Sequence, residues 1–451
     1  MASADPPATQ GLTAKGRATR ERILRSAAQV LSSEGVSGFN LERVRQAAEV
    51  SGSQLSHYFA DKPTLIRAVL DRQIELVLDF HRQSKLGGLG TFDDFERWAD
   101  LNVRHLRKTG LARTPTYHTL AGQLAKTDDA TRKTLAAGYW RWIDLLEQSF
   151  QKMKDRGVLV TSADPRHLAT VVVGGHQGAS TLTLSYRQEW PLADASRFVV
   201  NYVRLHAADR AERATRTPPR RPRSRRTPNR VVVDDAPRFT QKGLMTRARI
   251  VERAAELMFE RGVNGTSLDD VRKAVKVSGS QLTHYFVDKR DLTRQVVASR
   301  ANEVISFHTQ PDLGQLDSLR KLRAWADACI ADEAVYVRGG CIYGSLAGEL
   351  LEADDAILDD VAAGYDDWLE LFRNGLKAML RRGDLSDDAD PRHLAVALVA
   401  AHQGGTMLTH ATGTAEPLRA MVNAAVDYVA FFKPMPRRGA PRSRPRSKNG
   451  R

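Results

Sequence analysis

The chain has 451 residues, of which 27% are charged and 42% hydrophobic, with 32 Gly and 18 Pro. That composition excludes whole-chain disorder and a fibrous repeat. Lys plus Arg total 68 against 53 Asp plus Glu, a net of +15, and the only cysteines are Cys329 and Cys341. Two cysteines exclude a disulfide framework and a thiolate metal cluster. No stretch reaches the roughly eighteen apolar residues that span a bilayer; the nearest, 168–184, is interrupted by His176 and Gln177. The opening MASADPPATQGLTAKGR has no apolar segment behind its charges, so it is not expected to be a secretory signal, and the chain reads as cytoplasmic.

The charge is concentrated. Residues 209–226 carry eight Arg against Asp209 and Glu212, and residues 433–451 carry eight basic residues and no acid, so these two stretches hold +14 of the +15. Both are rich in Pro and Arg and lack apolar periodicity, which predicts a disordered linker over 208–241 and a disordered tail over 433–451. They are either solvated spacers or flexible arms that hold phosphate by counterion release.

The chain repeats itself. Residues 15–83 align without a gap on 242–310 at an offset of 227, and after one dropped residue the offset is 226. At the second offset Leu120-Ala121-Gly122 matches Leu346-Ala347-Gly348, and Asp164-Pro165-Arg166-His167-Leu168 matches Asp390-Pro391-Arg392-His393-Leu394. His176-Gln177-Gly178 matches His402-Gln403-Gly404. A repeat this long is a duplicated domain rather than a solenoid unit.

Each copy is predicted helical. Ile23, Ala27 and Leu31 recur at i, i+4, i+8, and Ile250, Ala254 and Met258 repeat the stripe. Thr19 and Thr246 are expected to cap this first helix, and Gly35 and Gly262 to stop it. Asn40 and Ser267 are expected to cap a short second helix, with Leu41, Val44 and Ala47 (Leu268, Val271 and Ala274) inward. Ser51 and Ser278 then cap a third, SGSQLSHYF and SGSQLTHYF. The two Asp-Pro-Arg-His-Leu segments read as a helix start after a turn. Strands are not expected.

Two short helices joined by a few residues suggest a helix-turn-helix, at about 40–59 and 267–286. The copies agree at 16 of 36 positions over 15–50 but at 10 of 12 over 51–62. Packing requires only Leu55 and Phe59 of the third helix. Yet the outward Ser53, Gln54, His57 and Tyr58 recur as Ser280, Gln281, His284 and Tyr285, which points to a shared ligand.

On these residues the segments TRERILRSAAQVLSSEGVSGFNLERVRQAAEVSGSQLSHYFADKPTLIRAVL and TRARIVERAAELMFERGVNGTSLDDVRKAVKVSGSQLTHYFVDKRDLTRQVV resemble the DNA-binding region of the tetracycline-repressor (TetR) family. The Thr-Arg start and the Phe-x-x-Lys ending at Lys62 and Lys289 agree with it. GGCIYGSLAGEL, residues 339–350, is similar to a segment in one drug-resistance-regulator branch; the first copy has Pro115 in the cysteine's place. Two departures stand out. Glu49 and Lys276 occupy a turn position where the family usually has Gly. Ser56 and Thr283 stand where it often has Tyr, so a phosphate contact there is hydroxyl-mediated or lost.

The resemblance implies an all-α fold of two tandem units. The expected divisions are a disordered 1–14, a DNA-binding domain over 15–77, an effector and dimerisation domain over 78–207, the linker, and the same pair over 242–304 and 305–432. Arg17, Arg20, Lys62, Arg247 and Lys289 are phosphate candidates, Ser51, Gly52, Ser278 and Gly279 offer backbone N–H groups to phosphate, and Gln54 and Gln281 can bond adenine in a bidentate way. His57, Tyr58, His284 and Tyr285 are further contacts, with Thr19, Asn40, Thr246 and Ser267 at the helix starts.

Pocket candidates implied by the resemblance are Tyr117, His118, Trp140, Trp142 and His176, and Cys341, Tyr343, Tyr365, Trp368 and His402. Core packing competes for every Trp, and an interhelical hydrogen bond for His176 and His402. Residues 311–432 carry 20 acidic against 10 basic residues, a face that should avoid DNA. No enzyme constellation, metal spacing or cofactor motif emerges.

The expected function is therefore a sequence-specific bacterial transcriptional regulator on the nucleoid. Its partners would be a double-stranded DNA operator and a small-molecule effector. One chain would supply both heads as an intramolecular pseudo-dimer paired through 167–186 with 193–206 and 393–410 with 418–432, a dimer of chains being the alternative. An architectural or activating DNA binder without an effector is the other reading.

Overall fold

A computed structural model describes residues 12–109, 116–126, 128–213, 239–350 and 355–434. Nearly all regular structure among them is helical; an isolated antiparallel bridge joins Leu159 and Ala207. In the first half, α1 (Ala14–Gly38), α2 (Leu41–Ala47) and α3 (Gly52–Tyr58) form a head. α4 (Lys62–His81) leads into α5 (Phe92–Thr109), α6 (Tyr117–Leu124), α7 (Asp129–Asp155), α8 (Pro165–Tyr186) and α9 (Trp190–Leu205). The second half follows the same order with α10 (Gln241–Arg261), α11 (Leu268–Val275), α12 (Gly279–Tyr285), α13 (Lys289–His308) and α14 (Leu319–Ala331). It continues through α15 (Glu333–Gly339), α16 (Gly344–Glu349), α17 (Asp355–Arg382), α18 (Pro391–Thr412) and α19 (Glu416–Phe431). No described helix is long and apolar enough to cross a membrane.

The helix starts follow from side-chain oxygens that take up the first free N–H groups. The first helix of each half begins more than a turn earlier than its sequence predicts. Thr13 and Thr240 are the caps, accepting from the N–H of Gly16 at 3.1 Å and of Gly243 at 3.2 Å. Thr19 and Thr246 lie inside the helix, their hydroxyls donating to the carbonyls of Lys15 and Lys242 at 3.0 Å. Lys15–Ala18 holds no proline, and Gly16 in the first turn is the residue whose N–H the earlier threonine caps, so the helix starts there. Gly35 and Gly262 do interrupt these helices, with φ of 66° and 79°, although α1 resumes to Gly38. Asp164 and Asp390 start α8 and α18, with proline as the first helical residue.

The linker is shorter than its composition predicts. Ala208 donates its N–H to the Val158 carbonyl at 2.9 Å, and Arg204, buried over Phe92, binds Glu96 at 2.7 Å and Glu212 at 2.5 Å. The remainder, 214–238, lies outside the described residues, as do 1–11 and the tail 435–451.

The head cores hold Ile23, Ala27, Leu31, Val44, Leu55 and Phe59, and Ile250, Ala254, Met258, Val271, Leu282 and Phe286, all buried. The two halves meet through α8 and α9 against α18 and α19. At the α8–α18 crossing the backbones nearly touch. A Cβ on Gly178 would lie 1.9 Å from the Ala400 carbonyl oxygen, and one on Gly404 would lie 1.7 Å from that of Gly174. Only glycine fits there, and its absence of a side chain lets the flanking Leu168, Val172, Leu394, Leu398 and Met421 close into one core. Asn201 reaches across to the Tyr428 hydroxyl at 3.1 Å.

Candidate nucleic-acid interface

α3 and α12 are built alike. Ser51 Oγ accepts from the Gln54 N–H at 3.1 Å while Gln54 Oε1 accepts from the Ser51 N–H at 2.9 Å. Ser278 and Gln281 form the same reciprocal pair at 3.1 Å and 3.0 Å. Before each helix the chain turns through a left-handed residue, Glu49 at φ 51° and Lys276 at φ 56°, the positions where the resemblance flagged a missing glycine. Such a residue costs about 1 kcal/mol, which the adjoining caps offset. Leu55 and Phe59 (Leu282 and Phe286) anchor the helix, leaving Ser53, Gln54, Ser56 and His57 and their counterparts exposed.

The geometry corrects several sequence expectations. The Ser51 and Ser278 N–H groups are consumed by the caps, so among the expected phosphate donors at these helix starts Gly52 and Gly279 remain, each with open space around it. Gln54 and Gln281 spend one Oε1 lone pair on the cap, which ties the amide to the helix start; the second lone pair and the Nε2 donors remain for a base. Ser56 and Thr283 donate back to the Gly52 and Gly279 carbonyls at 2.8 Å and 3.2 Å. Lys62 is not a free phosphate ligand. Its Nζ donates to the carbonyls of Phe39 at 2.6 Å and Val36 at 3.1 Å, closing the end of α1, and burial pushes its ammonium pKa down. Burial likewise lowers Lys289.

Arg20 and Arg247 lie over the rings of Phe59 and Phe286, 5.4 Å and 5.3 Å from the centroids, bracing the heads. Exposed Arg17 donates to the Leu12 carbonyl at 2.7 Å. Asn40 and Ser267 cap α2 and α11 as expected. Tyr58 and Tyr285 are half-buried beside His57 and His284. Phe239, which the sequence did not single out, packs edge-on against His284 and at a tilt against Tyr285 in the second head; the repeat offset places Leu12 at its counterpart.

Substituting Gln54 and Gln281 by Glu separates cap from base reader. Glu keeps the reciprocal cap but cannot donate to a base. We expect wild-type thermal stability to within about 0.5 kcal/mol and a loss of base preference at one position per half-site, read by selecting DNA from random sequence. Unchanged selected sequences would leave these residues as caps alone.

Beyond the heads, the aromatic candidates converge in each half, with one exception. Tyr117 donates to the Leu135 carbonyl at 2.8 Å and packs on Tyr139, whose hydroxyl reaches Gln177 at 3.1 Å; His118 meets the same Gln177 oxygen at 2.9 Å. His176 lies against Trp142 and meets Asn102 at 3.3 Å. Tyr343, Tyr365, Trp368 and His402 repeat this path, and Gln403 donates to Cys341 Sγ at 3.6 Å. Trp140 is the exception: it sits on another face of α7 beneath Arg166.

The focus of each cluster is a histidine the sequence reading passed over. His81 Nε2 accepts from Trp98 Nε1 at 3.0 Å and Trp142 Nε1 at 3.2 Å. His308 Nε2 accepts from Trp325 at 3.0 Å and Trp368 at 2.9 Å. Burial lowers both histidines to a pKa of about 4, and His118 likewise; it takes His176 and His402 to about 3. The signal was present in the repeat, since His81/His308 and Trp98/Trp325 are identical at offset 227.

Comparison with known proteins bears on the second half first. Residues 250–296 match the family model for bacterial regulatory proteins of the tetR family, and 318–425 the tetracyclin repressor-like C-terminal domain. The chain is similar to the HTH-type transcriptional repressor DhaR of Mycobacterium sp. (strain GP1), at 22% identity over 173 residues, 38% of this chain and 86% of DhaR. It is also similar to the transcriptional regulator AcuR of Cereibacter sphaeroides, at 26% over 179 residues, 38% of this chain and 79% of AcuR. Among solved structures, regulatory protein TetR from Rhodobacter sphaeroides aligns at 22% identity and a TM-score of 0.38, covering 41% of this chain and 98% of its own. A TetR-family regulator from Cytophaga hutchinsonii aligns at 19% and 0.40, covering 43% and 98%. Residues 250–425 thus have the make-up of a tetR-family transcriptional regulator, a DNA-binding helix-turn-helix head followed by the family's C-terminal helical domain.

Proposed function

We propose that the chain is a repressor made of two such units in tandem, one chain supplying both DNA-reading heads for a near-palindromic operator and a small molecule releasing it. One observation carries this reading: α3 and α12 present the same exposed Ser-Gln-x-x-His face on helices capped in the same way. Helix-turn-helix heads lay such a face in the major groove, and paired heads read half-sites about one helical turn, ~34 Å, or a multiple of it apart. The packing of α8 and α9 on α18 and α19 supports pairing within one chain, which would work on DNA in the bacterial cytoplasm.

The release step draws its support from the buried aromatic–histidine clusters. In the second half His402 Nε2 faces the Tyr336 hydroxyl at 3.4 Å, and its Nδ1 is buried without a partner. An effector with a hydrogen-bond donor would meet that nitrogen, so a His402→Phe variant should stay bound to operator when the effector is added.

Selecting bound DNA from random sequence tests the whole reading. Two similar, inverted half-sites are expected. Salt-steep binding without sequence preference would replace it with an architectural DNA binder. Deleting 435–451, seven of whose residues are basic, should weaken binding to all DNA about equally and flatten the salt dependence, by about 0.9 in slope per lost phosphate contact. An unchanged slope makes the tail a spectator. Light scattering should give the mass of one 50.0 kDa chain in free solution; an obligate particle of twice that mass rules out the single-chain pair.

A further inference from the structure

Parts of the apolar centre between the halves cannot tell one half from the other, although Phe198 and Met421 within it align with Ala424 and Ala195 at the repeat offset. Gly178 and Gly404, Leu168 and Leu394, and Tyr202 and Tyr428 occupy the same places in the repeat. Its charged rim can. Lys126 of the first half donates to Glu349 of the second at 2.9 Å, with both side chains under 10% exposed, and its ammonium also lies 5.1 Å from the Phe259 ring centroid. Arg187 binds Asp355 at 2.7 Å and also Asp359, and Tyr186 donates to Asp366 at 2.7 Å.

None of these pairs has a matching pair on the opposite side. At the repeat offset, Lys126 aligns with Glu352, Glu349 with Gln123, Arg187 with Gly413, Asp359 with Lys133 and Asp366 with Trp140, while Asp355 keeps its charge as Asp129. Gly413 sits where a Cβ would lie 3.5 Å from the Arg132 guanidinium, so an arginine in its place would meet Arg132 and Lys133. Arg187 holds its position in a left-handed cap, φ 52°, where the second half uses glycine. A bulky cation at that strained position is explained by what it reaches across the contact. The two helical domains differ overall in the same sense. Residues 85–206 carry 17 basic against 12 acidic residues, and 311–432 carry 10 against 20.

We infer that the two halves recognise each other as unlike partners, through a rim charge pattern that pairing of like with like would break. A first half facing another first half leaves Arg187 one acid, Asp129, which Arg132 already binds at 2.7 Å, and sets it against Lys133 in the place of Asp359. It also leaves Lys126 facing Gln123. A second half facing another second half leaves Glu349, Asp355, Asp359 and Asp366 with no cation from these positions. The surface therefore fits an unlike half, supplied by the same chain or by a second copy of it. Like-charge juxtaposition selects against wrong partners more than it strengthens the right one.

The test uses the folded full-length protein with a protease site placed within 214–238. After cleavage, dilution and reconcentration, native mass spectrometry should find the two fragments only as unlike pairs. Like pairs at their statistical share overturn the inference. In the cleaved protein Arg187→Asp should weaken the unlike pair by at least tenfold, and adding Asp359→Arg should restore it; a double variant no better than the single also overturns it. Binding of uncut protein to selected DNA is read separately. The inference deepens the single-chain reading and rests on the packed halves. An uncut particle of twice the chain mass whose fragments still sort into unlike pairs would sink that reading and leave this one standing.

Discussion

Leucine in place of Gly178 or Gly404 should prise the two halves apart while leaving each head folded. The first side-chain atom already collides, at 1.9 Å and 1.7 Å, with carbonyl oxygens of the opposite helix rather than with side chains that can swing away. The helices must separate by more than an ångström, and the flanking Leu168, Val172, Leu398 and Met421 then lose the close contacts that dispersion requires. Overpacking of a core usually costs about 1–3 kcal/mol. Because the obstacle here is backbone, about 3 kcal/mol or more is expected in urea unfolding. The consequence for DNA is specific. Separated halves stay tethered, so affinity falls less than full dissociation would cause, but the fixed distance between α3 and α12 is lost. Operators with one or two base pairs inserted between the half-sites, which the parent should discriminate against, should then bind the variant as well as the original. Gly52→Ala is the contrast, since nothing lies within 4 Å of a Cβ there and helix propensity favours the change by up to about 1 kcal/mol. Equal stability losses for Gly52→Ala and Gly178→Leu would sink the packing argument.

The heads were the most legible part of the fold, because apolar spacing, caps and turn residues act over a few positions. Ser51, Ser278, Asn40 and Ser267 cap the helices their sequence predicts, and Glu49 and Lys276 take the left-handed turn. Thr19 misled because Thr13, one and a half turns earlier, satisfies the same chemistry. Gln54 misled differently. Ser-x-x-Gln is itself a capping signature, so an exposed, repeated glutamine at that spacing serves the helix start as well as a base. Lys62 could not be placed from sequence, since its partners Val36 and Phe39 lie 26 and 23 residues away and meet it only once α4 folds back on α1. The buried His81–Trp98–Trp142 centre was visible as a repeated identity outside the heads. Lys126 and Glu349 were invisible for the opposite reason: their meaning lies in where the two copies differ.

Acid should unfold this protein sooner than its carboxylates alone would predict. His81 donates Nδ1–H to the Val77 carbonyl at 2.7 Å, and its Nε2 accepts from two indole N–H groups; His308 does the same with Val304, Trp325 and Trp368. A proton on Nε2 would aim a third N–H into the space where two donors already converge, in a site whose burial penalises the charge. Both rings are therefore held neutral, with a folded pKa near 4 against an ordinary value of 6.5. The sign follows from proton binding. Above pH 6.5 neither state binds the proton and the stabilisation is complete. Between 6.5 and about 4 the unfolded chain binds it and the folded chain does not, so stability falls as pH falls, by up to about 1.4 kcal/mol per unit for each histidine. Over the window that is on the order of 3 kcal/mol each, and two such groups approach the whole stability of an ordinary domain. His118, His176 and His402, also lowered by burial, add to the slope. Gln can accept both indole N–H groups through Oε1 and does not titrate. The His81→Gln, His308→Gln double variant should therefore match the parent to within about 2 kcal/mol at pH 7.5. Between pH 6.5 and 4 its unfolding free energy should fall with a slope shallower by about two protons. Urea midpoints measured at half-unit steps decide it. A parent and variant with parallel pH profiles would mean that these histidines take up protons in the folded state and that the two indoles do not hold them neutral.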